Sequence, residues 1–538
     1  MKPAAGIQRR HFVASAALPL LGCAKPENIS GGFTDLSHQR GHLLAERKTW
    51  PAPSVTHKTD VLIAGGGIAA LAAARALRLK GIEDFVLLEL EDAAGGNSRG
   101  GSVGGFACPL GAHYLPLPSD DAPEVQDLLE ELGLRQRVAG RWQYDERHLC
   151  HSPQERLFFN GQWQDGLLPL QDVGASTLAQ YQKFATLVSA LRRASRWTIP
   201  AWKWPVTPEQ QALAATVFVA YLDQNGLTDP HLRWYLDYCC RDDFGAGICT
   251  VSAWAGIHYF ASRHGFSAPG METTERDALL TWPEGNSWLT RRLADPLKDR
   301  VHAAQVVLRI ANLRHGVEVD SFNVATKTVE RWQAQRAIVA LPVFVAARVV
   351  QDAPDFLRRA VARTSYAPWL VANIHIDAAL FDRPGAAPSW DNVLYGDTAT
   401  APGLGYVDAM HQSLQRVPGA TVLTYYRAFG DRPDGRQRLL NTPWSAWRDA
   451  IVTELSAAHR DLAQKTRHIT ITRYGHAMAI PTPKNMSQIA AQSASGLRKQ
   501  LQKSEHQTTR HERLTFAHSD WAGYSVFEEA FTLGHWAV

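Results

Sequence analysis

Methionine, cysteine and excess charge are all scarce in this sequence of 538 residues. It contains 5 Met and 6 Cys, and its 56 Lys and Arg exceed its 52 Asp and Glu by only 4 charges. So small a net charge over this length excludes nucleic acid as the default partner. Neither CxxC nor HExxH occurs, so nothing supports a structural zinc site, and we predict no bound metal.

The cysteines are too few and too scattered for a disulfide framework. Five thiols follow Cys23, and an odd number leaves at least one of them unpaired within the chain. The adjacent Cys239 and Cys240 are interpreted as buried packing residues and not as a redox pair.

Long hydrophobic runs are also missing. The longest strongly apolar run, residues 12–22, is too short to cross a bilayer, which takes about 20 residues of helix. Hydrophobic residues make up 45% and charged residues 20%, the balance of a globular protein with a sizeable core. Disordered and collagen-like chains are excluded, and the length indicates more than one domain.

The N-terminal residues follow the order of an export signal: a basic pair, a short apolar stretch and a small residue before a cysteine. Gln8-Arg9-Arg10-His11-Phe12-Val13 resembles a twin-arginine signal, and Leu20-Leu21-Gly22-Cys23 resembles a lipobox. These resemblances imply export to the periplasm by the twin-arginine machinery, with a lipid on Cys23 as the attachment to a membrane. The alternative is a plain cleaved signal with an incidental cysteine. Residues 1–23 are set apart from the fold, and residues 24–56 are predicted to be a tether.

A strand, a glycine turn and a helix are predicted from residue 59 onward. Residues 59–64 form an apolar run, residues 65–70 read Gly-Gly-Gly-Ile-Ala-Ala, and residues 71–77 are rich in alanine and leucine. A second apolar run, residues 85–90, contains Glu89. This order is typical of the βαβ unit that binds a dinucleotide.

Each residue type in this GxGxxA pattern has a physical reason. Gly65 allows the tight turn, Gly67 lets the pyrophosphate approach the backbone, and Ala70 permits close packing of the helix on the strand. The helix N-terminus offers N–H groups to the phosphates. Glu89 lies at the spacing of the acid that holds a ribose hydroxyl.

The next segment resembles a known family. Gly95-Gly96-Asn97-Ser98, after the acid Glu89, resembles the acid-then-Gly-Gly segment of the flavin-containing amine oxidase and phytoene desaturase superfamily. The resemblance implies FAD and not NAD, with Gly95, Gly96 and Ser98 close to the pyrophosphate and the flavin. Asn97 stands where this superfamily usually has Arg.

The resemblance returns further along the chain. Gly111-Ala112-His113-Tyr114 resembles the stretch beside the isoalloxazine, and Val307 matches the valine of the segment whose backbone contacts adenine. Near the C-terminus, Asp520 is the candidate for a ribityl hydroxyl. The helix that includes Phe527 is expected to direct its positive N-terminal end at flavin N1 and O2. No Cys lies near this tail, so the resemblance implies non-covalent FAD.

Three separated cofactor segments imply an interleaved chain. We predict an α/β fold in which a Rossmann-like FAD-binding domain, residues 57–120, 275–345 and 465–538, alternates with an α+β substrate domain. The substrate domain takes residues 121–274 and 346–464.

One expected active-site residue is absent. In amine oxidases of this superfamily a Lys reaches flavin N5 through a water, and its position falls here at Val371 or Ala372. No Lys occurs between Lys327 and Lys465, which counts against routine amine oxidase chemistry.

The catalytic residues are not identified from the sequence. His113, Trp521 and His476 are the candidates for the substrate pocket. The adjacent carboxylates Asp242 and Asp243 either bind a cationic amine or cap the next helix, and capping is the preferred interpretation.

The sequence thus predicts an exported FAD-dependent oxidoreductase that removes hydride from a C–H bond of an unidentified small organic molecule. A polyamine-type amine oxidase is one alternative. A lipid-tethered flavoprotein that serves as a binding or electron-transfer module is the other.

Overall fold

The computed structural model describes residues 28–34, 38–46, 49–271, 278–396, 402–413, 417–494 and 509–538. The predicted signal, residues 1–23 with Cys23, lies outside these residues. Within the described ranges no helix is both long enough and apolar enough to cross a membrane.

The strands of the described residues are numbered in chain order. They are β1 (Ser30–Phe33), β2 (Val55–Ala64), β3 (Phe85–Leu88), β4 (Gly100–Val103), β5 (Phe106–Pro109), β6 (Tyr114–Pro116), β7 (Arg135–Val138), β8 (Arg141–Tyr144), β9 (Glu155–Phe159), β10 (Gln162–Asp165), β11 (Leu279–Thr281), β12 (Val301–His302), β13 (Gln305–Leu313), β14 (Gly316–Asn323), β15 (Thr328–Val339), β16 (Ser365–Ile376), β17 (Asp391–Leu394), β18 (Tyr406–Asp408), β19 (Thr421–Ala428), β20 (Thr466–Ile480), β21 (Thr509–His511) and β22 (Leu514–Phe516).

The α-helices of the same residues are numbered likewise. They are α1 (His38–Glu46), α2 (Ile68–Leu79), α3 (Pro123–Glu131), α4 (Ala175–Ala194), α5 (Pro208–Ala215), α6 (Phe218–Gln224), α7 (Pro230–Phe244), α8 (Ala253–Ala261), α9 (Ser287–Ala294), α10 (Val343–Val349), α11 (Asp355–Arg363), α12 (Gly435–Asn441), α13 (Trp444–Ser456), α14 (Leu462–Lys465), α15 (Pro483–Ala494) and α16 (Phe527–Trp536).

The first sheet contains the predicted dinucleotide unit. Its strand order is β12-β3-β2-β15-β14-β13, with β22 beside β15 and β21 beside β22. β2 runs parallel to both β3 and β15, so the turn that leaves β2 opens at the carboxyl edge of a parallel pair. The end of β2 is fully buried because α2 covers one face of the sheet while α10 and α11 cover the other. The loop that follows such a strand is where α/β folds bind nucleotides.

The second sheet has the order β1-β20-β16-β19-β18-β17-β9-β10. Side chains alternate across its central strand β16. Trp369 and Val371 pack in the cluster beneath helices α4 to α8, whereas Leu370 and Ala372 pack on the opposite face with α13. One face of this sheet therefore looks into the interior between the helices and the first sheet.

Two predicted domain boundaries are wrong. The strand β20 was expected in the FAD-binding domain, but it pairs with β16 and β1 in the second sheet. The helices α10 and α11 were expected largely in the substrate domain, but they pack on the first sheet. Residues 343–363 therefore belong with the first sheet and residues 466–480 with the second.

The predicted tether is wrong for two of its described parts. β1 is hydrogen-bonded in parallel to β20, with Ser30 opposite His468 and Phe33 opposite Ile471. The helix α1 packs on the edge of the first sheet, where Leu44 contacts two of the hydrophobic clusters that this sheet forms. The short strand sequence Ser-Gly-Gly-Phe shows no apolar alternation, so only its distant partner reveals it as a strand.

Candidate functional site

The glycine turn after β2 has the predicted geometry. Gly65 has φ +102, and a Cβ there would lie 2.4 Å from the carbonyl oxygen of Ala340, so only glycine fits. Gly67 is the N-cap of α2 and gives the helix no side-chain cap. Ala70, in the first turn of α2, is fully buried. The first N–H groups of a 12-residue helix are thus left for an anion.

Glu89 follows β3 and lies against this turn. Its Oε1 accepts a hydrogen bond from the N–H of Glu91 at 2.8 Å, and a Cβ on Gly66 would come within 2.3 Å of its Oε2. Burial is the main cause that raises the pKa of Glu89. An adjacent strand brings Val307 to the same place, because the N–H of Gln305 donates to the carbonyl of Glu89 at 2.8 Å. The acid Glu89 and the strand of Val307, both predicted to contact adenosine, are therefore hydrogen-bonded neighbours.

The second glycine pair touches the first. The N–H of Gly95 donates to the carbonyl of Gly66 at 2.7 Å, and both Gly95 and Gly96 have positive φ. A Cβ on Gly96 would lie 3.1 Å from the Cα of Gly67. Ser98 is buried, and its N–H donates to the carbonyl of Gly95 at 3.0 Å. Two bare backbone turns thus form one surface, which fits the close approach of a diphosphate.

A cation that the sequence analysis missed lies at this surface. Asn97 replaces the usual Arg of the superfamily and donates through Nδ2 to the carbonyl of Ala477 at 2.6 Å. Arg99, two residues later, donates through Nε to the carbonyl of Gly96 at 3.2 Å and is 3.4 Å from Glu91. The sequence contained a hint of this cation, because Arg99 lies two positions after Asn97, where the superfamily usually has Arg.

Asp520 is almost fully buried and strongly bonded to the protein. Its Oδ2 accepts from the N–H of Val343 at 3.0 Å and from the hydroxyl of Tyr366 at 2.5 Å. Burial alone would raise the pKa of Asp520, but His518 and these hydrogen bonds outweigh it, so the pKa is lowered. The contact with a ribityl hydroxyl stays a prediction, and the carboxylate already ties α10 to the end of β22.

Phe527 begins α16 and stacks on Phe531, with ring centroids 5.6 Å apart. The helix α16 crosses α2 closely, since a Cβ on Gly534 would lie 2.1 Å from the carbonyl oxygen of Ala69. Its N-cap, Val526, provides no side-chain hydrogen bond. Two uncapped helix N-termini, those of α2 and α16, therefore belong to the same packed unit.

His113 lies in a wall of aromatic rings. It stacks on Tyr426 with centroids 4.4 Å apart and contacts Trp390 at 5.5 Å. The Tyr426 hydroxyl donates to the carbonyl of Gly111 at 3.0 Å, which fixes this wall to the segment predicted beside the isoalloxazine. Burial lowers the pKa of His113 to about 3, so the imidazole is neutral.

The other two pocket candidates lie elsewhere. His476 stacks on Phe344 with centroids 4.6 Å apart, and Trp521 packs on Phe356 and Phe516 next to α11. Their ring contacts are thus with the side of the molecule that holds α10 and α11, whereas His113 contacts Tyr426 and Trp390. The three candidates do not form one pocket wall.

Two carboxyls adjoin the aromatic wall around His113. The Tyr114 hydroxyl hydrogen-bonds with Asp242, and the Tyr238 hydroxyl donates to Asp391 Oδ2 at 3.4 Å. Both carboxyls are half-buried. Burial, followed by the charge of Asp243, raises the pKa of Asp242 to about 7. Burial, followed by the charge of Asp242, raises the pKa of Asp391 well above its usual value.

The preferred interpretation of Asp242 and Asp243 as helix caps is wrong. Both lie in the last turn of α7, and Ser252 caps the next helix by accepting from the N–H of Ala255 at 3.2 Å. Asp243 is paired with Arg263 at 3.0 Å. Among the described residues, the ion pairs at this place are Asp243–Arg263 and Asp237–Arg241, and neither includes Asp242 or Asp391.

Some of these residues carry little local signal in the sequence. Tyr426 lies within β19, and Trp390 and Asp391 follow a stretch rich in proline, glycine and alanine. An aromatic residue followed by an acid after such a loop was the available hint. The positions predicted for the missing lysine, Val371 and Ala372, are buried in β16, and of the two only Val371 is on the face of the aromatic wall.

Several solved structures have a similar fold. A putrescine oxidase bound to putrescine gives a TM-score of 0.64 at 17% identity, with 89% of this chain and 98% of that chain covered. Cyclohexylamine oxidase from Brevibacterium oxydans IH-35A gives 0.63 at 18% identity, covering 89% and 98%. A CLA-producing fatty acid isomerase from P. acnes gives 0.60 at 15% identity, covering 89% and 97%. At such identities the likeness establishes the fold alone.

Sequence comparison identifies the family. No curated protein matches the chain. The family described as flavin containing amine oxidoreductase matches residues 68–537, which is most of the chain. The predicted α/β fold and the predicted class of enzyme, a flavin-dependent oxidoreductase, are confirmed. The chain belongs to the flavin-containing amine oxidoreductase family.

Proposed function

We propose that this protein is an FAD-dependent oxidoreductase that oxidises a small, positively charged amine. The observation that carries the proposal is the pair of carboxyls, Asp242 and Asp391, beside an aromatic wall and without a paired cation among the described residues. The proposal thus adopts the amine oxidase that was the alternative on sequence grounds, although no Lys lies at Val371 or Ala372.

The glycine surface supports FAD as the flavin. Gly65, Gly67, Gly95 and Gly96 leave backbone without side chains beside the uncapped start of α2, and Glu89 is placed for a ribose hydroxyl. When bound, flavin would accept hydride from the C–H bond beside an amine nitrogen that has given up its proton, and the ionised carboxylate of Asp242 is placed to take that proton. No Cys occurs in the C-terminal tail, and this supports non-covalent binding.

Charge balance supports a cationic substrate. Arg263 compensates Asp243, so a proton is what keeps Asp242 and Asp391 neutral in the interior. An ammonium group that enters beside them replaces that proton with a fixed opposite charge. Buried carboxylates that gain such a partner recover much of their cost of desolvation.

The aromatic wall supports orientation of the substrate. Tyr426, Trp390 and His113 pack ring against ring, and Tyr426 and Trp390 are each only 5% exposed. Such rings hold the carbon skeleton, keep water from the reacting C–H bond and attract a cation through their faces. Neutral His113 adds no competing positive charge.

Anaerobic reduction tests this proposal. The purified protein is expected to show the flavin absorbance bands, and putrescine or cyclohexylamine should bleach them without oxygen. Cyclohexanol is the matched uncharged probe and should leave the bands oxidised. Bleaching by cyclohexanol with no response to either amine would overturn the amine assignment, and absence of flavin bands would overturn the assignment of FAD.

Removing one carboxyl at a time locates the amine site. Asp242→Asn and Asp391→Asn keep shape and remove charge, so each is expected to lower kcat/KM for the amine by roughly 10- to 100-fold, the value of about 1.5–3 kcal/mol for a charged hydrogen bond. Asp145→Asn, at a surface pair with Arg147, is the control. Unchanged kcat/KM in both site variants would contradict the assignment.

We also propose export by the twin-arginine machinery, with a lipid on Cys23. The sequence Arg9-Arg10 and the Leu-Leu-Gly-Cys motif support it. Replacing both arginines by lysine is expected to retain the protein in the cytoplasm, as cell fractionation would show. Cys23→Ala should release an exported protein from the membrane fraction. Export that continues in the double lysine variant would count against this route.

A further inference from the structure

An N-terminal strap lies outside the region that matches the family. We define the strap as β1, α1 and Trp50, all of which precede residue 68. We propose that this strap fastens the second sheet to the adenosine side of the FAD site and slows the loss of FAD. The inference rests on the proposed binding of FAD and adds residues that bind no part of the amine.

One end of the strap is fixed to the second sheet. Gly31 pairs with Ile469, and a Cβ on Gly31 would lie 2.0 Å from the carbonyl oxygen of that residue. The guanidinium of Arg473 lies 3.6 Å from the ring centroid of Phe33. Thr34 adds a hydrogen bond of 2.8 Å to the hydroxyl of Thr472. This end is therefore held along the whole of β1.

The other end is fixed to the loop that follows β3. Arg40 donates through Nη1 to the carbonyl of Leu90 at 2.9 Å and pairs through Nη2 with Asp92 at 2.8 Å. Leu90 directly follows Glu89, the acid assigned to the ribose. Arg40 thus holds the backbone on which that acid depends.

Apolar contacts extend this second anchor. Leu43 and Leu44 pack against the apolar cluster of Val306, which also takes in Leu90 and Leu308, and Val306 and Leu308 flank Val307. The ring of Trp50 lies 5.1 Å from that of Phe322 on the neighbouring strand β14. The strap therefore contacts both segments assigned to the adenosine, the loop after β3 and the strand β13.

These two anchors belong to different sheets. Because one covalent segment carries both anchors, it keeps the loop after β3 ordered, and a ligand leaves more slowly from a site that is already ordered. The cofactor-binding loop after β3 loses a backbone hydrogen bond and an ion pair if Arg40 is removed.

The test measures the release of FAD from the loaded protein. After dilution, the rise of free flavin fluorescence gives the dissociation rate, independently of any substrate. Arg40→Ala is expected to release FAD about tenfold faster, which corresponds to about 1.4 kcal/mol. Gly31→Val, which displaces β1 at the far end, is expected to have an effect in the same direction.

A matched control lies at the other end of β3. Arg300 donates to the carbonyl of Glu83 at 3.0 Å and pairs with its carboxylate at 2.6 Å, the same two bonds as Arg40 makes. Arg300→Ala should leave the release rate unchanged. Circular dichroism shows whether each variant is folded. If Gly31→Val does not fold, the release rate of Arg40→Ala alone tests the strap.

The outcomes separate this inference from the proposed function. FAD in the wild-type protein with equal release rates in wild type, Arg40→Ala and Arg300→Ala would overturn the strap. Equal acceleration by Arg40→Ala and Arg300→Ala would overturn it as well. A wild-type protein without FAD would instead overturn the proposed cofactor.

Discussion

Asp242 connects the acidity of the site with the charge of its proposed substrate. Its carboxyl hydrogen-bonds with Tyr114, and burial raises its pKa to about 7. The group is therefore neutral below that pH and negative above it. An amine that remains protonated in this range therefore meets a negatively charged Asp242 only above about pH 7.

The pH profile should follow this ionisation. We expect kcat/KM for a small amine to rise as pH increases through about 7, because Asp242 loses its proton there. In Asp242→Asn that inflection should disappear. Steady-state kinetics from pH 5.5 to 9 with the wild type, Asp242→Asn and Asp145→Asn make the comparison. A profile that falls over this range in the wild type would contradict the role of Asp242.

Gly67 allows cofactor binding to be separated from folding. A Cβ there meets only the Cα of Gly96, at 4.0 Å, so the protein itself has room for it. Gly67→Val should therefore remain folded and lose FAD, since the side chain would occupy the side proposed for the pyrophosphate. Flavin absorbance and circular dichroism measure the two properties. A folded variant with normal FAD content would show that the fingerprint does not bind the cofactor.

Local patterns predicted some single residues well and others poorly. Gly65 and Ala70 lie where the GxGxxA spacing placed them, since one turn and one helix determine their positions. Asp391 was missed because its neighbours Asp242 and Tyr238 come from a helix far away in the sequence. The role of Trp521 in the substrate pocket stays a prediction, and its ring packs on Phe356 and Phe516.

At the scale of elements, two helical glycines make opposite demands. Gly41 lies in the middle of α1, where an added Cβ would meet nothing within 4 Å, whereas Gly534 in α16 lies directly against α2. Gly41 therefore lowers the stability of α1, whereas Gly534 is needed for the close packing of α16 on α2.

Gly41→Ala should strengthen α1. Alanine is better than glycine within a helix by roughly 0.8–1 kcal/mol, so the strap should hold more firmly and FAD should dissociate several-fold more slowly. The fluorescence assay of FAD release detects this directly. Faster release from a folded Gly41→Ala protein would contradict the strap.

Gly534→Ala should weaken the pairing of α16 with α2. The added Cβ would lie 2.1 Å from the carbonyl oxygen of Ala69, and such overpacking costs about 1–3 kcal/mol. Thermal unfolding followed by circular dichroism should therefore give a lower Tm than that of the wild type. Gly419→Ala is the control, because an added Cβ there would meet nothing within 4 Å. Gly133 also has open space, but its positive φ would itself strain an alanine. An unchanged Tm in Gly534→Ala would show that the helices move apart at little cost.

Elements with strong local periodicity were the predictable ones. β2, α2 and β3 were recognised because apolar runs and a glycine turn mark them within about thirty residues. The prediction placed β20 in the FAD-binding domain because its pairing with β16 depends on residues about a hundred positions earlier, which no local pattern shows. β1 escaped recognition because its four residues gain their order from that same distant strand.

At the scale of the whole molecule, the proposed FAD should contribute to the stability of the fold. A ligand that binds the folded state alone raises the free energy of unfolding with its concentration. We therefore expect the protein stripped of flavin to unfold at a lower temperature, and added FAD to restore the higher Tm. Differential scanning calorimetry of the two forms gives the answer, with riboflavin as the control that lacks the adenosine half. Equal Tm values with and without FAD would contradict the proposed binding between the sheets.

If the protein carries the proposed lipid on Cys23, the position of β1 limits the distance between the folded domain and the membrane. Ile29, just before β1, is buried in the core of the second sheet, and only residues 24–28 separate it from Cys23. Even fully extended, the chain from Cys23 to Ile29 reaches about 20 Å. If the proposed lipid is attached at Cys23, the β1 edge of the enzyme would therefore rest at the lipid headgroups. So short a connection would fix the orientation of the molecule relative to the bilayer. It would also place the enzyme close to reactants dissolved in the bilayer.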